Sequence, residues 1–161
     1  MDVDSLNKKY RILIVDDDET IRTTLKAILE DEGYSVDSAT NGKDAIKKTQ
    51  EQTYNLALLD IRLPDMEGVE LLNLMKDNID RMRKIMVTGF PTLQNAIEAV
   101  NKNADAYLIK PVNIDELLAI VKEQLGKQED DKEFNEQKVV EFIESRVKEI
   151  SMDQFNKINS F

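Results

Sequence analysis

Three residue types are missing from this chain of 161 residues, which has no cysteine, no histidine and no tryptophan. Without cysteine there is no disulfide framework and no thiolate to act as a nucleophile or soft metal ligand. Without histidine, Ser-His and Cys-His catalytic arrangements, His-ligated zinc and a self-supplied phosphohistidine are excluded. Chemistry is left to oxygen ligands, lysine and hydroxyls. Long apolar runs are also absent: the longest, Leu117-Leu118-Ala119-Ile120-Val121, is far short of the roughly 20 residues that span a bilayer. The first ten residues, MDVDSLNKKY, lack an apolar signal core and carry acids early, so a cytoplasmic location without membrane attachment is expected. Positive charge is scarce, with 22 Lys and Arg against 32 Asp and Glu and a net charge of -10. That balance argues against holding nucleic acid by phosphate neutralisation, and no nucleic-acid partner is expected. At about 150 residues per domain, the length predicts one domain with a short appendage.

What is there is a regular alternation. Arg11-Ile12-Leu13-Ile14-Val15 is rich in β-branched residues, stops at Asp16-Asp17-Asp18-Glu19, and reads as a strand buried on both faces. Ile21, Leu25, Ile28 and Leu29 then recur at helical spacing until Gly33, the residue type that commonly ends helices. The pattern repeats with strands predicted at 34–39, 56–60, 84–87 and 106–109. Helices are predicted at 42–50, near 69–77, after Pro91 along Leu93, Ala96, Ile97 and Val100, and at 114–125 with closure at Gly126. Five strands alternating with five helices predict an α/β fold with a doubly wound, five-stranded parallel sheet, because parallel strands need crossovers and crossovers deposit helices on both faces.

Ligands of such sheets bind beyond the carboxyl ends of the strands. Here the first strand ends in Asp16-Asp17, the third in Asp60, the fourth in Thr88-Gly89 and the fifth in Lys110-Pro111. Three carboxylates gathered at one edge repel each other and are costly to desolvate unless a cation sits among them. All-oxygen donors favour a hard divalent ion, and Mg2+ fits best because it is held by one or two carboxylates and keeps positions for water and phosphate oxygens. Lys110 supplies a second positive charge and Thr88 a hydroxyl donor. Asp18 and Glu19 read instead as acids favoured at a helix N-terminus, and Asp65 and Gly68, in Leu63-Pro64-Asp65-Met66-Glu67-Gly68, as turn residues.

This order of motifs resembles the receiver (CheY-like) domain of two-component response regulators over about residues 10–126. The resemblance implies a flavodoxin-like sheet of strand order 2-1-3-4-5, a Lys-Pro bond that is usually cis, and Asp60 as phosphoacceptor for a phosphohistidine on a sensor histidine kinase or phosphotransfer protein. It implies that Asp17, Asp60 and the backbone carbonyl of Arg62 ligate Mg2+ directly, with Asp16 acting mostly through water. Lys110 would bind the phosphoryl group, Thr88 would move to hydrogen-bond it, and Tyr107 would change position with Thr88. It further implies that Arg62 and Phe90, two residues beyond Asp60 and Thr88, govern how water reaches the aspartyl phosphate; both are large, which predicts slow self-dephosphorylation. A flavodoxin-like electron carrier fits poorly because Asp16-Asp17-Asp18 would repel a cofactor phosphate. An aspartyl phosphatase fits poorly because Arg62 stands where a general acid is wanted. The second reading is a receiver-fold interaction or dimerisation module that works without phosphorylation.

Beyond the first nine residues and the receiver at 10–126, the remaining segment, 127–161, reads as a polar linker followed by a helix near 134–150. Val139, Ile143, Val147 and Ile150 form its apolar stripe, and the segment carries six basic and nine acidic residues. The stripe folds back on the receiver, forms a homodimer, or docks a downstream protein whose identity the sequence does not carry. No DNA-binding or enzymatic output domain is expected.

Overall fold

The alternation expected from the sequence is realised in a computed structural model of the chain, which describes residues 10–75, 81–89 and 92–159. The elements are β1 (Arg11–Val15), α1 (Glu19–Asp31), β2 (Ser35–Ala39), α2 (Gly42–Glu51), β3 (Leu56–Asp60), α3 (Gly68–Leu74), β4 (Arg83–Thr88), α4 (Leu93–Asn101), β5 (Ala106–Ile109) and α5 (Ile114–Asn159). The strands form one parallel sheet in the order β2-β1-β3-β4-β5. Alternating side chains divide between two apolar cores, as strands buried on both faces require. Leu13, Val15, Ala57, Leu59 and Met86 pack with Ala45 of α2, Leu71 and Leu72 of α3 and Ala99 of α4. Ile12, Ile14, Leu58, Ile85 and Val87 pack with Leu25 and Leu29 of α1 and Leu117 and Val121 of α5.

Local chemistry sets the helix starts. The Asp18 carboxylate accepts from the Ile21 amide at 3.1 Å and the Asn41 side chain from the Asp44 amide at 2.8 Å, each satisfying a donor that the first helical turn leaves unpaired. Gly33, with φ of 94°, makes the exit from α1 that a side chain would resist. The Lys110-Pro111 peptide is cis.

The expected helix end at Gly126 is not observed, and 127–133, read from the sequence as a polar linker, is helical. Helix α5 continues through both to Asn159. The reason lies two residues on: Gln128 is buried and hydrogen-bonded, so contacts distant in sequence outweigh a glycine penalty of about 1 kcal/mol. The chain divides into two compact units, Met1–Gln128 and Glu129–Phe161. The second unit is helical through Asn159, with Phe134, Val139, Val140, Phe142, Ile143, Val147 and Ile150 exposed and an Arg146–Glu149 ion pair at 3.2 Å. Among the described residues, no helix is long and apolar enough to cross a membrane.

Candidate functional site

Strand register assembles the site. Val15 of β1 pairs with Leu59 of β3, so the next residue along each strand, Asp16 and Asp60, emerge side by side at the carboxyl edge. Asp60 of β3 pairs with Val87 of β4, and Thr88 of β4 with Ile109 of β5, which delivers Lys110 to the same edge. Carboxylate oxygens of Asp16, Asp17 and Asp60 lie within 4.8 Å of one another. Asp16 and Asp60 are buried and Asp17 is exposed.

Lys110 joins two of the three acids. Its Nζ donates to Asp16 Oδ2 at 2.8 Å and to Asp60 Oδ2 at 3.3 Å. The Lys110 amide also donates to the Thr88 carbonyl at 2.7 Å, which ties the β4 end to the β5 end. The remaining carboxylate oxygens are oriented by backbone: Asp16 Oδ1 accepts from the Asp18 amide at 2.9 Å and Asp60 Oδ1 from the Arg62 amide at 3.3 Å. Arg22 of α1 donates to the Asp16 carbonyl at 2.9 Å.

The electrostatics are unbalanced in one direction. Burial, followed by the charge of Asp16, pushes the Asp60 carboxyl above its ordinary value, and Lys110 only partly opposes this. Burial works against the Lys110 ammonium, but the hydrogen bond and charge of Asp16, then Asp60, raise its pKa above the ordinary value. One ammonium among three carboxylates leaves negative charge uncompensated at a half-open, all-oxygen cluster. The donor set fits a hard divalent cation.

Of the residues singled out from the sequence, Asp16, Asp17, Asp60 and Lys110 are brought together. Thr88 is fully buried at the end of β4, and Arg62 is exposed on the loop after β3. Tyr107 is placed differently: it packs against the core that contains Met86, and its hydroxyl is buried without a hydrogen-bonding partner. Phe90 lies outside the described residues. Two roles were missed in the sequence. Asp65, read as a turn residue, caps α2 from a distance by accepting from the Gly42 and Lys43 amides at 2.8 and 2.9 Å. Gly68 is required by close approach, since a Cβ there would strike the Asp60 carbonyl oxygen. The Asp65 contacts span 23 and 22 residues and leave no local signal; the Gly68 constraint is backbone packing.

The family model for the response regulator receiver domain matches residues 12–122. The transcriptional regulatory protein ZraR of Klebsiella oxytoca is 38% identical over 115 residues, covering 71% of this chain and 26% of that protein. The regulatory protein AtoC of Escherichia coli is 35% identical over 124 residues, covering 77% of this chain and 27% of the relative. The chain thus spans about a quarter of the length of the curated relatives it matches. Among solved structures, a CheY-like response regulator receiver domain protein from Methanospirillum hungatei is 49% identical, with a TM-score of 0.72 over 76% of this chain and 98% of that one. The beryllofluoride-activated NtrC4 receiver domain dimer is 35% identical, with a TM-score of 0.69 over 73% of this chain and 98% of that one.

Proposed function

The chain belongs to the response regulator receiver domain family of two-component systems, and on that premise we propose that Asp60 is its phosphoacceptor, with Mg2+ held by Asp17, Asp60 and the Arg62 carbonyl, and by Asp16 mostly through water. The observation that carries this reading is the bridging Lys110 ammonium, 2.8 Å from Asp16 and 3.3 Å from Asp60 within the carboxylate cluster. An Asp60 oxygen attacks phosphorus, the O–P bond forms as the P–N bond of a partner's phosphohistidine breaks, and the electron pair stays on the departing imidazole. Burial and Asp16 raise the basicity of Asp60, which favours it as a nucleophile. Lys110 meets charge on the transferring group, and the Arg62 amide orients the attacking carboxylate. Bound Mg2+ would neutralise phosphoryl oxygens. Thr88 and Tyr107 form the switch, the buried Tyr107 hydroxyl being a group that gains a partner by moving.

The donor approaches over an open apolar cleft of about 490 Å³, where Ile21, Leu25 and Ile28 of α1 face Pro111 and Val112 beside Lys110. Apolar surface next to a reactive edge suits helices of a sensor histidine kinase or phosphotransfer protein. Output is assigned to protein contacts of the second unit. There Val140, Ile143, Val147 and Ile150, exposed by 53 to 58%, recur at alternating three- and four-residue spacing, the seam that a second copy of the same helix covers.

The test is labelling by acetyl phosphate in Mg2+. The wild type is labelled, whereas Asp60→Asn, or omission of Mg2+, abolishes labelling. Undiminished labelling of Asp60→Asn overturns the assignment. Failure of the wild type both to be labelled and to hold beryllium fluoride favours a module that acts without phosphorylation.

A further inference from the structure

The loop between β3 and α3 is closed on itself. Arg62 and Glu67 form an antiparallel bridge, the Leu63 amide donates to the Met66 carbonyl at 3.2 Å, and the Gly68 amide donates to the Ile61 carbonyl. Such a loop moves as a unit, and its Arg62 amide is already bonded to Asp60.

Two side chains at the tip fasten this unit to α2. Asp65 straddles the helix N-terminus, taking the Gly42 amide on Oδ1 and the Lys43 amide on Oδ2. Met66 lies over Gly42 so closely that a Cβ at position 42 would strike its side chain. Helix α2 already has its own local cap in Asn41. Asn41 serves the Asp44 amide and Asp65 the Gly42 and Lys43 amides, so the distant carboxylate ties the loop to a helix start that also has a cap of its own. The two amide bonds, Gly42 before Lys43, hold the Asp65 carboxyl below its ordinary value, so it stays charged against the positive end of the helix.

We propose that Asp65 is a positioning residue for the cation site: by pinning the β3–α3 loop to the N-terminus of α2, it holds the Arg62 backbone ready as a metal ligand. This rests on the assignment of Mg2+ to Asp17, Asp60 and the Arg62 carbonyl. A main-chain ligand has no rotamer of its own, so its position is that of the loop, and an unpinned loop must lose conformational freedom when the ion binds. Pinning removes that loss beforehand.

The experiment is Mg2+ titration by calorimetry on the full chain, comparing wild type, Asp65→Ala, Asp65→Asn and Asn41→Ala. Partners that orient metal ligands from outside the ligand set are worth 10- to 100-fold in affinity. A residue acting through a loop is one step further from the ion and is expected at or below the low end of that range, so Asp65→Ala should weaken Mg2+ roughly three- to tenfold. Asp65→Asn keeps an acceptor oxygen and should fall between it and wild type. Asn41→Ala removes a cap from the same helix and should lower thermal stability while leaving Mg2+ affinity unchanged. In acetyl phosphate labelling, Asp65→Ala should raise the half-saturating Mg2+ concentration by the same factor and leave the limiting rate within about twofold. Wild-type Mg2+ affinity in Asp65→Ala, or an equal loss in Asn41→Ala, overturns the proposal. Absence of Mg2+ binding by the wild type overturns the cation-site assignment itself, a result that no Asp65 variant produces.

Discussion

Gln128 and Asn55, 73 residues apart, hold each other at both ends of the Gln128 amide. Its Nε2 donates to the Asn55 carbonyl at 2.9 Å, and its Oε1 accepts from Asn55 Nδ2 at 3.2 Å. The same Nε2 donates to the Arg81 carbonyl at 2.9 Å, while Asn55 Oδ1 accepts from the Arg11 amide at 2.8 Å. One glutamine on α5 thus joins the chain ahead of β3 and β4, and through Asn55 the start of β1.

Gln128→Leu, which keeps the bulk and deletes the amide, is expected to destabilise the protein by about 2 kcal/mol, because polar groups near a buried position lose their partners. The urea midpoint is expected to fall. Asp130→Asn, two residues along the helix and exposed, should leave the midpoint unchanged within about 0.5 kcal/mol.

Asp60→Asn should stabilise the metal-free protein at pH 7. The folded pKa of Asp60 is raised by burial and then by Asp16, so its stabilising contribution is full below the ordinary value of 3.8 and is lost as pH rises through the folded value. Asparagine removes that loss. A gain of about 1 kcal/mol raises Tm by roughly 3 °C in a chain of this length. Excess Mg2+ should reverse the order, raising the Tm of the wild type more than that of the variant.

Tyr54 is buried, and its hydroxyl donates to Asp37 at 2.7 Å. Burial, then that bond, raises the phenol pKa well above 10.0. The stabilisation is therefore full below pH 10 and is lost as pH rises towards the folded value. Tyr54→Phe should cost about 1 kcal/mol at pH 7. Its Tm should converge with that of the wild type above pH 10, measured by thermal melts from neutral to alkaline pH.

Ile143→Lys places a charge in the apolar seam assigned to a second copy. Sedimentation should find the wild type forming a concentration-dependent dimer and the variant remaining monomeric. The first unit ends at Gln128, so its unfolding midpoint should not move.

The strands were legible because their apolar runs stop abruptly at charged or turn residues. Val15 before Asp16 and Leu59 before Asp60 mark both the strand end and the chemistry, and one parallel sheet carries those ends to one edge. Gly126 misled because local propensity ends a helix there, whereas the buried amide of Gln128 carries it on. Asp65 looked like a turn residue because the amides that it caps lie on another element.

The pairing of Val15 with Leu59 has one more consequence. Side chains alternate across a strand, so a slip of β3 by one residue would exchange its faces and place Leu59 or Ile61 where Asp60 belongs. The acids meet only when the threading is right, and the cluster is a gauge of alignment built into the molecule. On the proposed assignment of Mg2+ to this cluster, a chain with β3 misthreaded would lack the site, so at saturating Mg2+ a misthreaded fraction would lower the ions bound per chain.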